Sequence, residues 1–119
     1  MKLLSRSFGD ASTSPSWIEP AALATRLEQD DAPLILDVRG SHEFSGPLGH
    51  IGQATNIPLT ELPAHLPDLA RENRPVVVVC KTDRRSSMAA QQLQDAGLSD
   101  VSVLRGGMER WRVLYLAAN

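Results

Sequence analysis

Val76-Val77-Val78-Val79-Cys80-Lys81-Thr82-Asp83-Arg84-Arg85-Ser86 is the stretch on which the reading of this chain turns. Four β-branched residues that break off into polar ones describe a strand buried on both faces and ending in a tight loop. Ser86 and Ser87 then open an amphipathic segment, residues 88–97, that predicts a helix. Cys80, the single cysteine of the chain, thus falls at the carboxyl end of a strand and against a helix N-terminus. Open parallel sheets bind ligands there. Loop amides, the helix dipole and the cations Lys81, Arg84 and Arg85 would all favour thiolate over thiol. The expectation is an exposed sulfur set in a ring of main-chain N–H groups. The competing reading is a buried, inert cysteine, and three basic residues within five positions argue against it.

Working outward, apolar runs alternate with helical patterns. Trp17-Ile18 reads as a short first strand. Glu19-Pro20 reads as a helix start with Leu23 and Leu27 on its apolar face and Asp30-Asp31 at its close. Residues 34–38, Leu-Ile-Leu-Asp-Val, are too continuously apolar for a strand with a wet face. Four glycines and Pro47 between Gly40 and Gly52 predict a loop with one short helix around residues 42–44. Residues 54–57 read as a brief strand. Leu59, Leu62, Leu66 and Leu69 keep helical spacing, with Pro63 and Pro67 limiting its regularity. Residues 101–104 are the next strand, and residues 108–116 a last helix or turn. The alternation predicts an α/β domain: a mainly parallel central sheet of four to five strands, with helices on both faces. Strand order is left open.

The 119 residues suffice for one domain with a core of its own. Residues 1–16, rich in Ser, Thr, Gly and Asp near their end, are expected to form a flexible leader, and residues 17–119 the domain. A net charge of −2 and few aromatics argue against nucleic acid as a partner. No apolar run nears the roughly 20 residues that cross a bilayer. A lone cysteine excludes an internal disulfide and a multi-cysteine zinc site, so neither metal nor cofactor is expected. A free thiol suits a reducing compartment, and the cytoplasm is the default address.

Three segments together resemble the single-domain rhodanese family of thiosulfate or persulfide sulfurtransferases. The early one is Leu36-Asp37-Val38-Arg39 with Glu43-Phe44, then Gly49-His50-Ile51-Gly52 and Asn56-Ile57-Pro58. The middle one is Val78-Val79-Cys80 with the loop through Arg85-Ser86, and the late one Leu104-Arg105-Gly106-Gly107-Met108 with Trp111. The resemblance runs from about residue 17 to residue 111. It implies a rhodanese-like domain in which Cys80 takes a sulfane sulfur as a persulfide and passes it to a thiol or cyanide. It further implies that loop positions Lys81, Thr82, Asp83, Arg84, Arg85 and Ser86 bind the donor, with Arg85 as the loop arginine. Asp37, Arg39 and Glu43 are then supporting residues, Arg39 and Glu43 forming a structural ion pair. Thiosulfate is the expected small anionic donor and a protein thiol a possible acceptor. Asp83 departs from the pattern, since the family often has glycine at this fourth loop position. Aspartate tolerates a left-handed backbone, and its carboxylate is expected to face outward, towards Arg84. Residues 115–119 also lack the Gly/Pro-containing finish of many relatives.

The chemistry needs a nucleophile ionised near neutrality, whereas a free cysteine has a pKa of about 8.5. A helix terminus alone contributes about 0.3–1 kcal/mol at exposed sites, so amides and cations must add to it. His42, His50 and His65 read as loop or surface residues. Two other function classes compete. A cysteine phosphatase or arsenate reductase would also use a Cys-to-Arg loop, but only four residues separate Cys80 from Arg85, where such phosphatases use five. A non-enzymatic sulfur-relay or interaction module fits the missing second thiol.

Overall fold

The segments expected as strands form one parallel sheet. The computed structural model describes residues 15–116. Strands β1 (Ser16–Ile18), β2 (Leu34–Asp37), β3 (Thr55–Asn56), β4 (Val76–Val79) and β5 (Val101–Leu104) stand in the order β1-β5-β4-β2-β3. All neighbours are parallel, with Leu36 opposite Val78 and Val78 opposite Val103. Residues 1–14 of the expected leader, and residues 117–119, lie outside the described residues; Ser16 already belongs to β1.

Strand parity sorts the core into two layers. Val76, Val78 and Cys80 share one face with Leu36, packed against α3 (Leu62–Glu72) and α4 (Arg84–Asp95) through Leu62, Ala89, Ala90 and Leu93. Val77 and Val79 turn to the other face, where α1 (Pro20–Arg26) supplies Leu23 and α5 (Gly107–Trp111) supplies Met108 and Trp111. A strand covered on both sides has no use for polar side chains, which is why four valines run together. A short helix α2 (Ser41–Phe44) and a 3-10 turn (Leu59–Glu61) occupy the β2–α3 connection, and a π-type turn (Arg112–Leu116) follows α5.

Helix α4 starts four residues earlier than the apolar pattern predicts. Its first turn is Arg84-Arg85-Ser86-Ser87, cations at the end of the dipole that disfavours them. Helix α1 stops at Arg26 with turns up to residue 31, short of the expected Asp30-Asp31 close. Pro67 sits inside α3. Among the described residues no helix is long and apolar enough to cross a membrane.

Candidate active site

The same parity that builds the core decides where the sulfur lies. Cys80 continues the Val76 and Val78 face, so its side chain points under α4 and is 1% exposed. This corrects the expected exposed thiol: alternation along β4 carries one residue past the strand end, and α4 closes over it. The sulfur is nevertheless not surrounded by hydrocarbon alone. The Ser86 N–H donates to Sγ at 3.2 Å, the thiol donates to Ser86 Oγ at 3.2 Å, and that hydroxyl donates to the Asp83 carbonyl at 3.2 Å. Ser86 is itself fully buried. Among the described residues Ser86 provides the one N–H bonded to Sγ, so the expected ring of amides is not closed on the sulfur.

Those amides are free for something else. The Cys80 carbonyl accepts from Met108 N–H (2.9 Å) and the Lys81 carbonyl from Glu109 N–H (3.0 Å). Among the described residues every peptide bond is trans, so the N–H across each of these planes, that of Lys81 and of Thr82, points away from α5. Among the described residues, the N–H groups of Lys81, Thr82, Asp83, Arg84 and Arg85 meet no acceptor. Five successive unpaired donors at a strand-to-helix junction form a cradle suited to an anion. Gly107 makes the arrangement possible. It has φ +57°, and a Cβ there would lie 2.5 Å from the carbonyl oxygens of Cys80 and Lys81 and also strike that of Thr82. No side chain fits where the β5–α5 turn presses on the loop.

The loop itself is residues 80–83, since Arg84, Arg85 and Ser86 belong to α4. Asp83 stands at the N-cap position of α4 with φ −133° and no side-chain capping bond, so the left-handed backbone anticipated for it is not required. Its carboxylate accepts from Gly106 N–H at 2.8 Å instead of pairing with Arg84, anchoring the loop to the β5–α5 turn a second time.

Four charged residues brace this junction, with partners exchanged relative to expectation. Arg39 bonds Asp37 through Nε at 3.0 Å and Nη2 at 2.7 Å, both residues being 1% exposed. It also donates to the carbonyls of Gly49 (2.8 Å) and Glu43 (3.2 Å). The carboxylate of Glu43 is therefore left to Arg85, which grips it with both Nη atoms at 2.6 and 2.9 Å, and to Gly40 N–H at 3.0 Å. The resemblance implied an Arg39–Glu43 pair, but Asp37 takes the Arg39 fork and Arg39 reaches only the main-chain carbonyl of Glu43. The Arg85 guanidinium holds the Glu43 carboxyl at about 2 against its ordinary 4.5, assisted by the Gly40 N–H and opposed by partial burial. Arg85 is raised in turn, chiefly by Glu43. Arg85 thus ties the first turn of α4 to α2, and its fork is already occupied.

Lys81, Thr82 and Arg84 are exposed; Lys81 reaches Glu109 at 3.7 Å, and Arg84 has no carboxylate partner among the described residues. A cleft of about 340 Å³ beside the loop is lined by Arg39, Glu43, Leu48, Lys81 and Glu109. A second, of about 700 Å³, runs past Thr82 and Gly106 to Val113 and Leu114. The hydrocarbon wall of this second cleft was not legible beforehand, because exposed and core leucines look alike on a short terminal helix. His50 stacks on Phe44 and donates to its carbonyl, remote from catalytic use. Among the described residues no group of three or more His, Cys, Asp or Glu side chains could hold a metal ion.

Comparison with known proteins places these features in a family. The profile of the rhodanese-like domain matches residues 19–113. An uncharacterized protein of Synechocystis is 39% identical over 88 residues, 73% of this chain, which spans only about half (47%) of that protein's length. The thiosulfate sulfurtransferase GlpE of Shewanella oneidensis is 40% identical over 77 residues, covering 65% of this chain and 73% of GlpE. Among solved structures, a rhodanese-related protein from Thermoplasma volcanium superposes with a TM-score of 0.72 at 31% identity, over 84% of this chain and 93% of its own.

Proposed function

Since the chain belongs to the rhodanese-like domain family, we propose that it is a sulfurtransferase working through a persulfide on Cys80. The single observation that carries this reading is the run of five unpaired N–H groups, residues 81–85, in the loop and helix start that follow a sulfur already accepting the Ser86 N–H. The name of the GlpE relative supports thiosulfate as donor.

In the first half-reaction the Cys80 thiolate attacks the outer sulfur of thiosulfate. The sulfur–sulfur bond of the donor breaks, its electron pair leaves with sulfite, and Cys80 becomes a persulfide. The terminal sulfur carries the negative charge, and the loop amides and α4 dipole stabilise it there. In the second half-reaction an acceptor thiolate or cyanide attacks that terminal sulfur and returns the electron pair to Sγ. Arg84 and Lys81, exposed beside the loop, steer the dianion; Arg85 positions the first turn of α4. Because the sulfur is buried, residues 81–83 must yield slightly for each transfer. The proposed setting is the cytoplasm, where a reducing milieu keeps the thiol free.

The phosphatase reading is disfavoured by Arg85, whose guanidinium is spent on Glu43 instead of facing a tetrahedral oxyanion. Intact-mass measurement after incubation with thiosulfate tests the proposal. One added sulfur atom, removed by cyanide and absent in Cys80→Ala, is the expected result. That variant should fold, at a cost of about 1–2 kcal/mol for the buried sulfur. Unmodified protein across a panel of sulfane donors would overturn the assignment.

A further inference from the structure

The second cleft runs from the active loop to an exposed apolar wall that the chemistry of a small donor does not need. Val113 is 73% exposed and Leu114 50%. Trp111, by contrast, is buried, and Tyr115 tilts against it at 4.4 Å. Two neighbouring aliphatic side chains are therefore presented outward, facing Leu48 across the groove. Thr82, two residues from the sulfur, lies on the same groove.

The charges along it are mixed, two carboxylates and two guanidiniums, and those without an opposite partner are mainly basic. Of the acidic side chains lining it, Asp83 is held by Gly106 N–H and Glu109 is drawn to Lys81. Arg110 and Arg112 also line it and have no carboxylate within 4 Å among the described residues. A groove that is open to solvent on one side cannot enclose a small apolar ligand, which normally buries most of its surface. It suits an extended polypeptide with apolar side chains for Leu48, Val113 and Leu114 and carboxylates for the two arginines.

We propose that this groove docks the sulfur acceptor, a protein segment that carries a cysteine beside acidic and aliphatic residues. The inference rests on the sulfurtransferase reading. The docked thiol loses its proton to solvent and its thiolate attacks the terminal sulfur on Cys80. The sulfur–sulfur bond breaks towards Sγ, and the acceptor leaves as a persulfide while Cys80 is regenerated as thiolate.

The test loads the full-length protein with thiosulfate and compares three acceptors: cyanide, an Asp/Leu-rich peptide with one cysteine, and the same peptide with lysines for aspartates. The acidic peptide is expected to show about tenfold higher kcat/KM than the basic one, an advantage that fades with added salt. Arg112→Glu should erase that preference. Val113→Ser with Leu114→Ser should raise KM for the acidic peptide about tenfold, with cyanide turnover unchanged. Equal rates for the two peptides, or full peptide turnover by the serine variant, would overturn the docking proposal. So would a dimer in sedimentation that the serine variant dissociates, since a second copy would then occupy the groove. Loss of cyanide turnover in the unaltered protein would instead strike the sulfurtransferase reading beneath it.

Discussion

Replacing Glu43 by glutamine removes one charge and little else. The amide keeps the volume and an oxygen for the Gly40 N–H, so the change isolates the grip of Arg85. A carboxyl moved from 4.5 to about 2 in the folded protein corresponds to about 3 kcal/mol of folding stability. The pair is not dry, with side chains 35% and 27% exposed, so solvent screening brings the expected loss nearer 1–2 kcal/mol. The sign is fixed by the direction of the shift. A depressed carboxyl stabilises fully above the unfolded value of 4.5, and the contribution drains away as pH falls towards 2. Urea unfolding of the two proteins should therefore differ by about 1–2 kcal/mol at pH 7. The gap should narrow below pH 4.5 and close near pH 2. Sulfur transfer should fall about tenfold at pH 7, because the first turn of α4, with its free amides, loses its tie to α2. A pH-independent difference would refute the ion-pair account. Unchanged transfer in a destabilised variant would refute the positioning role.

Two further perturbations probe the frame. Gly107→Ala forces a side chain onto the carbonyls of residues 80–82 at φ +57°, so it should cost about 2 kcal/mol or more and abolish most thiosulfate:cyanide turnover; a variant as stable and active as the parent would show the close approach to be dispensable. Asp37→Asn strands the buried Arg39 charge and should cost about 3–5 kcal/mol in urea unfolding, whereas Asp37→Leu with Arg39→Met should recover much of it; an Asp37→Asn loss below about 1 kcal/mol would mean that Arg39 is satisfied by the Gly49 and Glu43 carbonyls alone.

The fold was legible wherever burial on both faces wrote continuous apolar runs, as in β2, β4 and β5; the edge strands β1 and β3 are short and partly exposed and carry no such run. Strand order was not legible, because the choice of β4 and β5 as central neighbours depends on packing between residues far apart in the chain. The loop was found from Cys80 and its flanking strand, yet its depth was misread. Counting alternate positions from Val76 and Val78 does put Cys80 on the α3–α4 face; the cations after it drew attention outward. Asp37, Arg39 and Glu43 were picked out as one set and Arg85 apart from them as the loop arginine, but their pairing follows from which termini meet, β2 with α2 and α2 with α4. Sequence spacing could not supply that. Asp83 shows the same limit, since its partner Gly106 lies 23 residues further along the chain.

What the geometry adds to the sequence is a division of labour within four peptide units. The carbonyls of Cys80 and Lys81 face α5 and fix the loop, and trans planarity then turns the following N–H groups the other way. On the proposed reading, anion recognition at this junction belongs to the main chain, held in place by Gly107 and by the Asp83–Gly106 bond more than by loop side chains. Lys81, Thr82 and Arg84 are then free to change the donor without changing the cradle. Arg85 is not free in that sense, because its charge is bound to Glu43. Donor preference should therefore respond to exchanges at residues 81, 82 and 84, while persulfide formation itself should respond to changes at Gly107, Asp83 and Glu43.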